Sequence, residues 1–405
     1  MSSRPSELEI RAPRNTDETH FAHDLMAKAH GSYYQSLRRV QALTGYPNHR
    51  PEFLRLAFWN AELAGALRVT SDTIRIGEAR LHMGGLGWVS TAEAHRHKGI
   101  ARELIADTMH FLRARNYHVA MLFGIPNFYH RFGFTTTLGQ YATEVQTVAA
   151  VTAPAGDVRI RQIKPGDIPI LQRLHNAADA SASCSLIRIA PHITLRWEQW
   201  RDARVLCDPK GKVLAYFCPR RTADGLMIDE AGLADRALCG PLLHACAQLA
   251  TEEFAERIRF HAPPEHPLIQ FLHQYRSRHE TQIVRDEGGM MAFLNLGETL
   301  ESMLPEWEQQ VQNSAIRALR VETTLVIGRT PFRIRANKGA LDIATAVGPN
   351  KCGLSEEELM QLLTGHRYLE DVLAQRRRIL SPEARLLLAA LFPKRSPYVW
   401  LLDRF

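Results

Sequence analysis

The sequence predicts a mixed α/β fold, α+β in part, built from three consecutive blocks. A strand, a basic loop with a glycine and an amphipathic helix follow one another between residues 85 and 112. An Ile-Arg pair followed by an aspartate, at 10–17, recurs 150 residues later at 160–167, just after a small, turn-rich linker at 151–156. A last series of strand and helix patterns runs from residue 288. Together these observations indicate a fold, a second copy of it, and a third unit.

The first block, residues 1–150, has a helical pattern at 17–43 and alternating strand patterns between 53 and 89. Residues 85–90 are typical of a buried strand, and residues 91–98 of a loop. A helix is then predicted by the apolar spacing of Ile100, Leu104, Ile105, Met109 and Leu112. A strand at 119–123 and the aromatic run at 127–134 complete the block.

The loop and helix start from Arg96 to Ala101 predict an anion site. Backbone N–H groups in the first turn of a helix have no partner within the helix, so they point at whatever approaches. Gly99 would allow a phosphate to come close to the backbone. A lone R-x-x-G-x-A motif is weak, but a strand before it and a long amphipathic helix after it strengthen the interpretation.

The second block, residues 151–287, has strand-like runs at 204–206, 213–217 and 225–229 and a helical segment at 238–254. No basic glycine loop precedes that helix, so this unit is expected to bind no phosphate of its own. The third block, residues 288–405, predicts a strand at 290–296 and a helix at 300–311. The remaining predictions are strands at 318–327, 331–335 and 341–345, a helix capped by Ser355 and a helix at 382–391.

Composition excludes several function classes. Of 405 residues, 45% are apolar, and no apolar run is long enough to cross a bilayer. The net charge of +7 favours anionic ligands, but the lysines and arginines are scattered, so no nucleic-acid partner is predicted. The six cysteines form no C-x-x-C pair or zinc-like cluster. We therefore expect no metal, no membrane association, and a reducing, cytoplasmic location.

These features resemble the Gcn5-related N-acetyltransferases (GNAT), and more narrowly their enhanced intracellular survival (Eis) family. The segments that carry the resemblance are 95–99 (HRHKG), 128–134 (FYHRFGF) and the terminal residues 403–405 (DRF). It implies tandem acetyltransferase folds, the second degenerate, followed by a sterol-carrier-protein-like α+β domain. It also implies an enzyme that transfers the acetyl group of acetyl-CoA to a primary amine of a small molecule or of a lysine side chain. A homo-oligomer, in that family a hexamer, is implied as well.

The resemblance also assigns site residues. Tyr129 matches the family's general acid, and the α-carboxylate of Phe405 matches its general base. Acetyl-CoA would be held by the following residues: Val89, Ser90, Arg96, His97, Lys98, Gly99, Ile100 and Ala101. Among these, a backbone N–H near Val89 or Ser90 would face the thioester oxygen. A phenol is a suitable proton donor to a departing thiolate, because the two groups have pKa values within about two units of each other.

Several alternatives stay open at the level of sequence. Tyr129 lies in an aromatic run and could be a packed core residue, and the apolar tail could be packing as a strand. A non-catalytic lipid- or ligand-binding protein would need only the third unit. Family members that acetylate aminoglycosides surround the acceptor with acidic side chains. This chain has none at 31–35 and a basic residue at 404, which leaves as acidic candidates only Asp24, Glu52 and Asp403.

Overall fold

A computed structural model describes residues 8–178, 182–375 and 380–405, which form nineteen strands and fourteen helices. In chain order, the first part contains β1 (Leu8–Arg11), α1 (Thr16–Ala29), α2 (Tyr33–Ala42), β2 (Leu54–Trp59), β3 (Glu62–Ile76), β4 (Ala79–Thr91), α3 (Ile100–Arg113), β5 (Val119–Gly124) and β6 (Thr135–Leu138). Next come β7 (Gln140–Gln146), α4 (Thr147–Ala150), β8 (Arg159–Gln162), α5 (Ile168–Ala178), β9 (Ser183–Leu186), α6 (His192–Leu195), α7 (Trp197–Trp200), β10 (Arg204–Cys207), β11 (Val213–Thr222), β12 (Gly225–Leu233), α8 (Cys239–Glu252), β13 (Arg257–Phe260), α9 (Pro267–Leu272) and β14 (Ser277–Gln282). The last part contains β15 (Gly288–Phe293), α10 (Leu296–Ser302), α11 (Leu304–Gln312), β16 (Arg320–Ile327), β17 (Thr330–Asn337), β18 (Ala340–Ala344), β19 (Lys351–Leu354), α12 (Glu356–Leu363), α13 (Leu369–Gln375) and α14 (Pro382–Leu391).

The strands form three sheets, which confirms the predicted mixed α/β fold. The first has the order β1-β2-β3-β4-β5-β15-β6, with β9 added beside β3. The second has the order β14-β7-β13-β12-β11-β10-β8, and the third β18-β17-β16-β19. In both larger sheets a parallel pair, β4–β5 and β12–β13, is joined by a crossover helix, α3 and α8. Within the described residues, no helix combines the length and apolar character needed to span a bilayer.

Two strands, β7 and β15, each pair in a different sheet from the one that their place in the sequence suggests. β15 pairs with β5 and β6 in the first sheet, although the sequence pattern grouped it with the last block. Its side chains explain this, because Met290 and Ala292 pack into the core beneath α3, whereas Met291 and Phe293 pack into a core shared with the third sheet. β7 pairs with β13 and β14 in the second sheet. The boundaries 1–150, 151–287 and 288–405 therefore stay a prediction.

Two predicted helices are each divided in the structure. The helical pattern at 17–43 forms α1 and α2, because Gly31 adopts a positive φ of 71° between them. The pattern at 300–311 is divided between α10 and α11, where Pro305 lies in the first turn of α11 and supplies no N–H. The Ser355 capping box and the helix Pro382–Leu391 are confirmed.

The C-terminal tail joins the three sheets. Tyr398 and Trp400 pack into the core of the second sheet, and Val399 packs into the core shared by the first and third. The N–H of Tyr398 donates to the carbonyl of Ser183 (2.9 Å). A single helical turn, Leu401–Asp403, then directs the last two residues back toward the first sheet.

A fully buried ion cluster anchors this turn. Arg188, which follows β9, donates two hydrogen bonds to the Glu230 carboxylate (2.7 and 2.5 Å) and one from Nε to Asp403 Oδ1 (2.7 Å). His192 Nε2 lies 2.8 Å from Asp403 Oδ1, and the Tyr216 hydroxyl donates to Glu230 (2.6 Å). Burial favours a raised Glu230 pKa, but Arg188 and His175 outweigh it and hold that pKa at about 2. The tail is thus tied to the second sheet by charge.

Replacing Arg188 should be costly. Arg188→Gln leaves Glu230 and Asp403 buried without their cation, so the free energy of unfolding should fall by about 3–5 kcal/mol. Chemical denaturation measures this. The matched control is Arg221→Gln, since Arg221 pairs with Glu253 at the surface, where a pair contributes less than about 1 kcal/mol. Equal effects of the two changes would contradict a structural role for the buried cluster.

Candidate active site

The candidate site is a cleft that opens where two parallel strands separate. β4 and β5 pair only at Met83–Val119, Gly84–Ala120 and Gly85–Met121. Beyond that point β4 continues beside β3 to Thr91, while β5 continues beside β15 to Gly124. The cleft between them has a volume of about 800 Å³. Backbone N–H and C=O groups that would otherwise bond to a neighbouring strand therefore face this cleft.

A β-bulge shapes the wall of the cleft formed by β4. The register with β3 shifts between Ala66 and Arg68, and opposite this shift Trp88 has a positive φ of 57°. Such a bulge adds a residue, twists the strand and redirects its side chains. The Trp88 ring packs edge-on against His30 (5.3 Å between ring centroids), and the Arg39 guanidinium lies 5.8 Å from the Trp88 ring centre. The α1–α2 connection and α2 thereby close one side of the cleft.

The loop before α3 supplies the opposite wall. Gly99 precedes the helix with φ of 81°, a left-handed conformation, and His97 also has a positive φ of 63°. A Cβ placed on Gly99 would meet only the Arg102 guanidinium, at 3.7 Å, so the space in front of the helix is open. Unpartnered N–H groups at the start of a 14-residue helix attract anions. The geometry fits a phosphate group.

Tyr129 lies on the far wall, at the start of the turn Tyr129–Phe132 after β5. Its ring packs against Phe128 and Phe134, and a Cβ on Gly124 would lie 2.5 Å from that ring. Burial raises the pKa of Tyr129, so the phenol stays protonated at neutral pH. Within the described residues the hydroxyl has no hydrogen-bond partner. The group can therefore donate a proton to a ligand in the cleft.

The last residue of the chain forms the floor of the cleft. The Phe405 ring packs against Phe123, with ring centroids 5.9 Å apart. A Cβ on Gly85 would lie 2.5 Å from the Phe405 ring, and a Cβ on Gly87 would lie 3.0 Å from its carboxyl carbon. Because residues 85 and 87 face the same side of β4, the two glycines form a seat for this terminus. The carboxylate of Phe405 thus reaches a cleft formed by the first sheet.

The structure brings together most of the predicted site residues. The cleft is lined by Val89, Arg96, His97, Gly99, Ile100, Ala101, Tyr129 and Phe405. Ser90 lies behind this wall, and its hydroxyl donates to the Trp88 carbonyl (3.0 Å). The Lys98 ammonium lies 3.3 Å from His95 Nδ1 and 5.6 Å from the Trp59 ring centre, outside the lining.

Sequence reasoning missed other residues of the cleft, among them His30, Arg39, Trp88, Phe123 and Phe128. His30 and Arg39 come from helical segments far from any motif, so no local signal marked them. Burial lowers the pKa of His30, and a hydrogen bond to the Val89 backbone opposes that shift. His30 is therefore a neutral imidazole beside the strand expected to face the thioester.

The second sheet has a different arrangement at the corresponding helix. Asp235, not a glycine loop, precedes α8, and its side chain accepts from the N–H of Ala237 (2.8 Å). A Cβ on Gly240 would lie 3.1 Å from Pro154, and one on Gly156 would lie 2.7 Å from Pro241. The linker thus packs directly on the first turn of α8. The linker therefore occupies the space in front of α8 that a bound phosphate would take.

Comparisons with known proteins agree with this geometry. Residues 9–137 match the model of the acetyltransferase (GNAT) domain. This segment of the chain is similar to a GNAT acetyltransferase domain. A search of curated proteins finds no significant match.

Solved structures are similar over the whole length of the chain. A GCN5-related N-acetyltransferase from Anabaena variabilis has a TM-score of 0.75 at 16% identity, covering 98% of this chain and 100% of its own. A GCN5-related N-acetyltransferase from Kribbella flavida has a TM-score of 0.73 at 16% identity, covering 99% of each chain. Eis1 from Mycobacterium abscessus has a TM-score of 0.66 at 14% identity, covering 98% of this chain and 100% of its own. At these identities the similarity shows the fold, all three sheets included.

The glycine seat gives a direct test of the position of the carboxylate. Gly87→Ala should crowd the Phe405 carboxyl group and lower kcat several-fold, and Gly87→Val should lower it by at least about tenfold, because small displacements of a reacting group are costly. Thiol release from acetyl-CoA in the presence of an amine measures this. Gly166→Ala is the control, since a Cβ there meets nothing within 4 Å. Full activity of Gly87→Val would contradict a role in turnover for the Phe405 carboxylate at this position.

Proposed function

We propose that this protein is an acetyl-CoA-dependent N-acetyltransferase that acts on a primary amine. One observation carries the proposal: Tyr129 and Phe405, which are far apart in the sequence, line one cleft together with the glycine loop at 96–101. The loop and the start of α3 would hold the pyrophosphate, and the backbone at Val89 and Ser90 would face the thioester. Lys98 would add charge from behind the loop.

In the proposed reaction the amine nitrogen attacks the thioester carbonyl carbon, and the carbon–sulfur bond breaks. Tyr129 donates its phenolic proton to the departing sulfur, and the Phe405 carboxylate accepts a proton from the nitrogen. The products are an N-acetylated amine and free CoA thiol, and the two groups then exchange protons through water. A carboxylate is a weak base toward a free ammonium, so it accepts the proton as the new C–N bond forms and the nitrogen becomes acidic.

The narrower features of the proposal come from the resemblance to the Eis family. They are a sterol-carrier-like third unit built on the β18-β17-β16-β19 sheet, a homo-oligomer with six subunits, and a cytoplasmic location. The packing of Pro154 and Pro241 at the start of α8 supports a second unit that binds no acetyl-CoA. Calorimetry should accordingly give one acetyl-CoA per chain.

Tyr129→Phe removes only the hydroxyl. Because the ring still packs against Phe128 and Phe134, acetyl-CoA affinity should change little, whereas kcat should fall by about a hundred-fold, the usual contribution of a positioned acid. Thiol release and calorimetry measure the two quantities. Tyr117→Phe is the matched control, since Tyr117 donates to Ser71 away from the cleft (2.8 Å). A kcat unchanged in Tyr129→Phe would make Tyr129 a packing residue.

Extending the chain beyond Phe405 tests the base. An added residue replaces the carboxylate by a neutral amide and places about 3.3 Å of chain in the cleft. Turnover should therefore be abolished in a C-terminally tagged protein, while its melting temperature stays within a few degrees of that of the N-terminally tagged form. Cleaving the added residues back to Phe405 should restore activity. A C-terminally tagged protein with full kcat would contradict the proposed base.

A further inference from the structure

A second cavity adjoins the candidate site on the side away from the glycine loop. It has a volume of about 1010 Å³ and lies between α2, the α6–α7 segment, β11 and the C-terminal turn. Arg39, Trp88 and Phe405 line both this cavity and the cleft described above. The two spaces therefore meet at the proposed base. An amine that reaches the Phe405 carboxylate would have the rest of its structure in this cavity.

Arginine dominates the lining of the cavity. The basic side chains are Arg38, Arg39, Arg196, Arg201, Arg204, Arg220, Arg221 and Arg404, and the acidic ones are Glu198, Asp202, Asp229 and Glu253. Each acidic side chain is already paired. Glu198 and Asp202 lie within 4 Å of Arg201, Asp229 pairs with Arg220, and Glu253 pairs with Arg221.

Five arginines of the lining have no carboxylate side chain within 4 Å among the described residues: Arg38, Arg39, Arg196, Arg204 and Arg404. Two of them, Arg196 and Arg404, make contacts that hold the C-terminal residues in place. Arg196 donates to the carbonyls of Leu402 and Arg404 (2.7 and 3.2 Å), and the Arg404 guanidinium lies 4.7 Å from the Phe123 ring centre. Burial and the charge of Arg196 lower the pKa of Arg39. A bound anion would relieve that repulsion.

The acidic residues that the sequence suggested as contacts for a cationic acceptor lie elsewhere. Asp24 accepts from the Tyr33 hydroxyl and pairs with Lys28, and Glu52 lies 3.9 Å from Arg115. Asp403 is buried against Arg188 and does not line the cavity. A polycation would therefore meet arginines without gaining carboxylate partners, apart from Phe405 itself. Desolvating cations against like charges is unfavourable.

We propose that the arginine-lined cavity binds the anionic end of the acceptor, so that the substrate is an amine that also carries a carboxylate or phosphate group. This inference rests on the acetyltransferase function proposed above. The amine end would approach Phe405 and Tyr129, and the anionic end would contact Arg39 and, beyond it, Arg38 and Arg204. Arg39 is the residue to test, because it lies at the junction and is not bonded to the tail.

The experiment compares amines that share one carbon skeleton. At saturating acetyl-CoA, thiol release is measured with 4-aminobutanoate, 4-aminobutanamide and 1,4-diaminobutane, whose far ends are anionic, neutral and cationic. O-phosphoethanolamine and ethanolamine form the second arm, which separates phosphate from carboxylate recognition. We expect the anionic member of the better arm to have a kcat/KM at least about tenfold above its neutral partner, mainly through KM.

Variants of Arg39 assign this preference to the cavity. Arg39→Ala should lower kcat/KM for the anionic amine by about tenfold more than it lowers kcat/KM for the neutral amine. Arg39→Glu should favour 1,4-diaminobutane. Arg320→Ala, an exposed arginine of the third sheet outside both cavities, should behave as the wild type. Because the site is partly exposed, the preference should also weaken as salt is raised.

The outcomes separate the two proposals. Turnover that favours the neutral or cationic amines overturns the anionic acceptor, and an anion preference that Arg39→Ala leaves intact overturns the binding of the anionic end in this cavity. Either result leaves the acetyltransferase standing. No thiol release with any of the five amines, in protein that binds acetyl-CoA in calorimetry, contradicts the acetyltransferase proposal itself. An anion preference that disappears in Arg39→Ala and reverses in Arg39→Glu supports both.

Discussion

The contact between Arg188 and Asp403 is the constraint on which the geometry of the site depends. The last residues of a chain usually fray, because few contacts offset their conformational entropy. Here Asp403 is fully buried two residues before the end, held by a cation that is itself held by Glu230. A buried ion pair contributes little net stability compared with a well-packed apolar replacement, but its strict geometry favours one arrangement. In this fold, that arrangement fixes the position of a terminal carboxylate.

This anchoring explains why the candidate cleft in the first sheet depends on residues from the rest of the chain. Arg188 and Glu230 belong to the second part of the chain, and the tail emerges from the third. The three ligand groups His175, Glu230 and Asp403 lie close enough together to suggest a metal site, yet the guanidinium of Arg188 already bonds two of them. The cation at this position is thus a side chain, and its role is to hold the tail.

Local sequence signals predicted the first domain well, and contacts between distant residues were beyond them. The strand, basic loop and helix around Gly99 are formed by consecutive residues, so the sequence alone predicted the glycine loop and the start of the helix. The Ser355 capping box is local in the same way. The place of β15 in the first sheet could not be read, because both faces of that strand are apolar and either neighbouring core could accept it. Likewise, Gly85 and Gly87 leave room for Phe405, about 320 positions later, and no local pattern indicates that contact.

The charge pattern around Phe405 bears on both ends of the proposed substrate. Phe405 and Arg39 both line the junction of the two cavities, and Arg404 lines the larger one. A carboxylate would attract the ammonium form of the acceptor, but only the neutral fraction of the amine has the lone pair needed to attack the thioester. The Phe405 carboxylate would then accept a proton as bond formation makes the nitrogen acidic. An anionic group at the far end of the acceptor would occupy the remaining arginines and leave Phe405 free to bind the amine.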